Sequence, residues 1–374
     1  MRGDVAQYQL AWHDPRPVSD YRRFHNQRSL DAARRLADYL VQHSAAKRHP
    51  TLLCTIDVDR SLLALSEVTG DGRYRDHVIT REGLGRWHAP IDEVNDGQYS
   101  TGDGHAYTFM NRCLAQLDLY RVQPDESLLS QSRRVIDYLT KRDALLITGT
   151  CSLVERFRNQ QETRGEVEES CATAYLIRLA HHLLQLEGDT LYGDLMERAI
   201  YNALFAAQSP DGRSLRYYTA IDGPRKYFDR DTYCCPNNWR RIVAELPEMV
   251  FYSGSAARGA MVNLYTSATG EVPIGPDLSV RLRQETDYPN SGQVTIKVTP
   301  SRSAAFPVTL RIPLPGALPL SLPNSVELGS ENRPLHKCIQ FLPAAPDRDP
   351  SRLAVASAAE EPSELGQLAV ELMD

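Results

Sequence analysis

Residues Asp231 to Arg241 read DTYCCPNNWRR, with Cys234 and Cys235 side by side ahead of Pro236. A bridge between neighbouring cysteines strains disulfide geometry, so the pair points to another use of sulfur. Upstream, GEVEESCATAY supplies Glu169 and Cys171. One carboxylate and three thiolates make a set of four that suits tetrahedral Zn2+, although neither a CxxC knuckle nor a histidine accompanies them. Ser170 could instead cap the helix that follows. Pro236 suits a first helical position. It sets Cys235 at or beside the N-cap of a helix through Trp239, Ile242, Val243 and Leu246, where the helix dipole lowers a thiol's pKa. Either sulfur of the pair is then a candidate thiolate nucleophile.

A nucleophile that displaces an oxygen leaving group needs a proton donor for that oxygen. Glu155, in CSLVERF, stands in a long loop before Glu169 and is a candidate; an ordinary surface carboxylate is the competing reading. His105 follows the Gly-rich turn STGDG and opens another helix. Its ring either faces the open end of the helical array or makes a structural hydrogen bond. His181 and His182, in mid-helix, read as bulk and surface. Seven cysteines, an odd number thinly spread, are not a disulfide framework. Cys54, Cys113 and Cys338 read as small core residues.

The elements that must position these groups fall into two regions. From about residue 27 to 255 apolar positions recur at three and four, as in Leu30, Ala33, Leu36 and Leu40, or Ala172, Leu176, Leu179, Leu183 and Leu186. These are amphipathic helices. Short turns return between them: TGDGRYRD, QPDESLL and EGDTLYGD carry Asp71, Asp125 and Asp189 at matching places. Repeated helical hairpins of this kind build either an open solenoid or a closed α/α toroid. Gly83–Tyr99 and Gly149–Glu168 read as long loops, where function often sits. After about Ala260 the period becomes two, with Leu278, Val280 and Leu282, then Val294, Ile296 and Val298, then Val308, Leu310 and Ile312, which predicts a β-sandwich module. The expected division is a helical domain over 1–258, a β-sandwich over 259–345, and a poorly ordered tail over 346–374, rich in Ala, Pro, Ser and charge.

With 42 basic and 48 acidic side chains the net charge is −6, and no long run of either sign occurs. Nucleic acid and anionic membrane surfaces are therefore not expected partners. No apolar run approaches a membrane span, and the first residues lack a signal-peptide core, so a soluble, cytoplasmic protein is the default. A homodimer is allowed without being specified.

The segments CSLVERF, ESCATAYLIRLAHHLLQLEGDTLYGDLMERAIYNALFAAQSPDG, RYYTAIDGP and TYCCPNN, in this order, resemble glycoside hydrolase family 127, the β-L-arabinofuranosidases. The resemblance covers roughly Thr101 to Pro313. It implies an (α/α)6 barrel followed by a β-sandwich, a carbohydrate substrate, and a zinc ion held by Glu169, Cys171, Cys234 and Cys235. It further implies Cys234 as nucleophile, Glu155 as acid/base, and sugar contacts from His105 and from one of Tyr217 or Tyr218. The activity implied is release of L-arabinofuranose or a similar sugar from β-linked glycans by a retaining double displacement. The alternative is a relative without catalysis, whose zinc site is structural in a scaffold that binds glycans or a partner protein. Members of the family are usually longer at both ends. About eight helical stretches precede Ala260, so the toroid is expected to be incomplete, and Thr55 stands where a second family histidine would be, near Asp57.

Overall fold

The computed structural model describes residues 16–43, 57–81, 83–89, 91, 105–142, 144–158, 161–230, 233–254, 259–302, 304, 306–313, 328–329, 353–358 and 366–371. Among these, helices α1 (Arg16–Phe24), α2 (Gln27–His43), α3 (Val58–Thr69), α4 (Gly72–Thr80), α5 (Ala106–Val122), α6 (Ser127–Lys141), α7 (Ser170–Glu187), α8 (Thr190–Ala199) and α9 (Cys234–Glu245) precede nine strands. The contacts group the chain into two compact units, Met1–His182 with Arg198–Arg240, and Leu183–Glu197 with Arg241–Asp374.

The returning turn has a physical meaning. Gly70 and Gly188 are left-handed, both at φ 71°, and their N–H groups close the preceding helices on Ser66 O and Leu184 O at 2.9 Å. Glycine takes that conformation without strain. The next residue, Asp71 or Asp189, then opens the following helix, its Oδ1 accepting from Arg73 N or Leu191 N at 3.0 Å; Asp125 does the same for Ser127 N at 2.9 Å. One helix stops and the next starts after two to four residues, which folds α3 on α4 and α5 on α6. Val18, Leu30, Ala33, Leu62, Tyr74, Val78, Ala115 and Leu128 share an apolar cluster across α1 to α6. Helix α5 is buried on nearly every side, as an interior helix is. Cys113, on this helix, is a fully buried free thiol; Cys54 and Cys338 lie outside the described residues.

In the second unit, β1 (Phe251–Ser253), β2 (Ala260–Val262), β6 (Phe306–Arg311) and β8 (Leu353–Ala358) form one sheet in that order, with β2 and β6 parallel. Strands β3 (Ala268–Gly275), β4 (Leu278–Thr286), β5 (Gln293–Pro300), β9 (Gly366–Glu371) and β7 (Leu328–Gly329) form the other, all pairs antiparallel. Val262, Val308 and Leu310 of the first sheet meet Val272, Val280, Leu282, Val294 and Ile296 of the second in one apolar cluster, the arrangement the period-two runs predict. Strands β8 and β9 fall in the segment expected to be poorly ordered. They pair with β6 and β5 respectively.

Candidate active site

Glu155 sits on a two-residue hairpin. Leu153 N donates to Arg156 O at 3.0 Å and Arg156 N returns to Leu153 O at 3.1 Å, with Val154 and Glu155 at φ 49° and 63° between them. Such a loop with two left-handed central residues favours Asn-Gly. A β-branched valine there is strained, and strain of this kind concentrates where function holds a residue in place. Ser152 and Glu168 nearby also have positive φ. Glu155 O accepts from Ala106 N at 2.8 Å, which ties the hairpin to the start of α5, and so to His105.

The second anchor is a short extended pairing. Glu169 bridges Tyr218, and Ser170 N donates to Tyr217 O at 3.0 Å. Ser170 therefore does not cap α7: its hydroxyl donates to Arg216 O at 2.7 Å, and the helix includes it. Helix α9 likewise begins at Cys234 rather than after Cys235. Proline fits anywhere in a first turn, because the N–H it lacks has no partner in the helix there.

These anchors bring every expected site residue together. The ligand atoms of Glu169, Cys171, Cys234 and Cys235 all lie within 4.8 Å of one another, and all four residues are buried. Cys235 Sγ is 3.3 Å from Cys171 Sγ and 3.6 Å from Glu169 Oε1, while Glu169 Oε2 is buried with no hydrogen-bond partner. Burial pushes Glu169, Cys171 and Cys235 up. Hydrogen bonds from Cys171 and Cys235 hold Cys234 down to about 3 against its own burial. A dry carboxylate and three sulfurs aimed at one point fit a metal ion, whose charge would offset the cost of ionising them. The donor set is compatible with zinc.

Beside this cluster, the Tyr217 hydroxyl donates to Glu155 Oε1 at 2.5 Å and lies 3.4 Å from Cys234 Sγ. Tyr218 also donates to Glu155 Oε1, at 3.1 Å, and His105 Nε2 is 3.2 Å from Oε2. Burial raises Glu155, but the hydrogen bonds from His105 and Tyr217 outweigh it and hold the carboxyl down to about 2. Burial raises both tyrosines, so they keep the protons they donate. Two further residues belong here that their types alone did not single out. Asn238 donates to Cys171 Sγ at 3.1 Å; three positions after Cys235 in CCPNN, it falls on the same face of α9. Tyr107 packs edge-on against His105, ring centroids 4.4 Å apart. Thr55 lies outside the described residues; Asp57 is buried and accepts from the Tyr175 hydroxyl at 3.3 Å.

Residues 17–248 match the model of the β-L-arabinofuranosidase GH127 catalytic domain, and residues 259–316 that of the GH127 middle domain. The chain belongs to glycoside hydrolase family 127. Among GH127 relatives, it is 21% identical over 347 residues to a non-reducing end β-L-arabinofuranosidase of Bifidobacterium longum subsp. longum, covering 78% of this chain and 51% of that protein. The chain thus spans about half the length of that curated relative. A crystal structure of a GH127 β-L-arabinofuranosidase from Geobacillus stearothermophilus T6 superposes with TM-score 0.69 at 23% identity, over 94% of this chain and 59% of that one. A second GH127 β-arabinofuranosidase gives TM-score 0.70 at 22% identity, over 95% and 57%. The helical region is accordingly of the (α/α)6 toroid type, followed by a smaller β region. Among the described residues no helix is long and apolar enough to cross a membrane.

Proposed function

We propose that this chain is a retaining glycoside hydrolase that releases L-arabinofuranose, or a sugar of similar shape, from β-linked glycans. Cys234 is the nucleophile, Glu155 the acid/base, and Glu169, Cys171, Cys234 and Cys235 hold a zinc ion. The observation that carries this reading is the single Tyr217 hydroxyl in contact with both Glu155 and Cys234. It limits the carboxylate–sulfur separation to at most about 6 Å, close to the ~5–5.5 Å between the paired groups of retaining glycosidases. A purely structural metal site has no need of a carboxylate facing one of its sulfurs.

When bound, zinc keeps the sulfurs ionised and makes a thiolate a better leaving group. Cys234 Sγ attacks the anomeric carbon as the bond to the leaving oxygen breaks, and Glu155 gives its proton to that oxygen. The sugar is then held on sulfur as a thioglycoside. Glu155, now a carboxylate, takes a proton from water as the water oxygen attacks the same carbon and the Cys234 thiolate departs, so two inversions give retention. A sugar that displaces the tyrosine hydroxyls from Glu155 Oε1 removes bonds that hold the carboxyl low. Burial then raises it towards the value a proton donor needs. His105, fixed at the start of α5, orients the other oxygen.

Purified protein is expected to hold about one zinc per chain and to release nitrophenol from an aryl β-L-arabinofuranoside. Cys234→Ala and Glu155→Gln should each abolish that release without loss of fold by circular dichroism. Activity unchanged in either variant removes that residue from the mechanism, and a folded sample without metal removes the zinc site.

A further inference from the structure

Two groups of metal-ligating side chains meet in the candidate active site, and the proposed function uses only one of them to hold a metal. His105, Glu155 and Glu169 each offer a ligand atom, and these lie within 4.8 Å of one another, as the atoms of Glu169, Cys171, Cys234 and Cys235 do. Glu169 belongs to both groups. It is fully buried and its Oε2 has no hydrogen-bond partner, so a carboxylate with an oxygen to spare stands between the two positions. His105 Nε2 is 3.2 Å from Glu155 Oε2. Ligands on bonds of ~2.0–2.1 Å stand ~3.3 Å apart along the edge of a tetrahedron. The pair is therefore already spaced to share a metal ion in place of a hydrogen.

The two side chains are also held in that arrangement. The Tyr217 and Tyr218 hydroxyls both donate to Glu155 Oε1, at 2.5 and 3.1 Å, which leaves Oε2 to the histidine. Outer partners of this kind fix the direction of a ligating carboxylate. His105 is the N-cap residue of α5 and is 7% exposed, and the next residue's N–H donates to Glu155 O at 2.8 Å, so backbone ties the segments that carry both ligands. Charge favours a cation here. Four ionised ligands around one Zn2+ leave two negative charges, and the Glu155 carboxylate brings a third within 4.8 Å of Glu169. Charges of one sign packed this closely in a buried site repel strongly, and a second cation between the carboxylates relieves that. One imidazole nitrogen and two carboxylate oxygens suit zinc, with a fourth position open to water.

We propose that His105, Glu155 and Glu169 form a second divalent-metal site, which takes zinc when the free ion is abundant and shares Glu169 with the first. An ion there occupies the Glu155 oxygen that would carry the proton, so the site is inhibitory. The inhibition rests on the glycosidase reading above; the binding does not. The test counts zinc per folded chain by equilibrium dialysis at rising free zinc, in the full chain and in Glu155→Gln, His105→Phe and Cys235→Ser. The wild type should take two ions in separate steps. Glu155→Gln and His105→Phe should keep the first and hold the second at least about tenfold more weakly. Glu155→Gln, which barely changes the shape of a partly exposed side chain, decides alone if His105→Phe does not fold. A wild type that takes no more than one ion, unaffected by Glu155→Gln, overturns the proposal, as does a second ion that either folded variant holds as tightly. A single ion lost in Glu155→Gln and kept in Cys235→Ser sustains the new site and counts against the sulfur site instead. Zinc that fills the second step should slow nitrophenol release from the aryl arabinofuranoside by roughly tenfold or more, reversed when a chelator withdraws that ion alone. Release that continues unslowed with both ions bound overturns the inhibitory role. A chain that takes both ions yet releases no nitrophenol at any zinc level fails the glycosidase reading and leaves the metal site standing.

Discussion

Glu155 illustrates how much a single side chain's chemistry depends on what touches it. As a residue type it was legible as a candidate, yet more readily as a surface carboxylate, because a Val-Glu pair gives no hint of the left-handed hairpin that presents it. The four residues that could hold a metal were more legible as a group, since three sulfurs and a carboxylate limit the chemistry by type alone. The choice between Tyr217 and Tyr218 was not open to spacing, and the structure brings both hydroxyls to the same oxygen. His105 supplies a hydrogen bond that holds Glu155 at about 2 against burial. Replacing it by phenylalanine keeps a ring there and removes the nitrogen, so the carboxyl moves up. For a group that must be protonated to donate, kcat/KM falls as pH rises past its pKa; the descending limb should therefore shift to higher pH in His105→Phe, by roughly one unit or more. The stability sign runs the other way. A carboxyl depressed in the fold adds stability above its ordinary value near 4.5, lost as the pH falls towards 2, and the variant should lose part of that gain. A pH–rate profile with an unmoved limb would show that His105 does not act through Glu155.

At the scale of elements, the Gly-Asp turns were the clearest signal in the chain, because both halves are local: a glycine able to end a helix and an aspartate able to start one. Closure of the toroid was less legible, since it depends on contacts between distant hairpins that no local pattern specifies, whereas α2 was read from Leu30, Ala33 and Leu40. Helix boundaries at the site moved by one or two residues for the same reason: Ser170 and Cys234 entered their helices once tertiary partners satisfied their polar groups. The capping role can be tested where nothing else intrudes. Asp125 Oδ1 accepts from Ser127 N, and the Ser127 hydroxyl and N–H together hold its carboxyl below the ordinary range. Asp125→Ala should lower Tm by about 2–4 °C, whereas Asp125→Asn, which keeps an acceptor at the same place, should restore most of the loss. Equal losses in the two variants would mean that charge rather than the cap hydrogen bond supports α6.

Over the whole molecule, the helical and β regions were legible as changes of period, but the way the chain is shared between units was not. Val308 and Leu310 mark the inner face of β6 and Ile312 continues their alternation just past its end, so alternation assigns Arg311 to solvent. Instead Arg311 is fully buried, with Nη1 2.8 Å from Asp194 Oδ1, Nη2 on Glu197 Oε2, and Nε donating to Asn263 O at 2.7 Å. Glu197 also accepts from the Tyr288 hydroxyl at 2.7 Å, and a side chain at Gly193 would collide with Arg311 and Asn263. Two carboxylates one turn apart on α8 therefore meet a strand residue, within the unit that joins Leu183–Glu197 to Arg241–Asp374. Removing one member of a buried charge cluster leaves the others uncompensated, at a cost of about 3–5 kcal/mol. Arg311→Leu should show a loss of that order in denaturant unfolding. Adding Asp194→Asn and Glu197→Gln neutralises the stranded carboxylates, so the triple variant should recover most of the stability despite carrying two more substitutions. If it is instead less stable than Arg311→Leu alone, the cluster stabilises through packing and hydrogen-bond geometry, and compensation of charge is not what binds α8 to the strands.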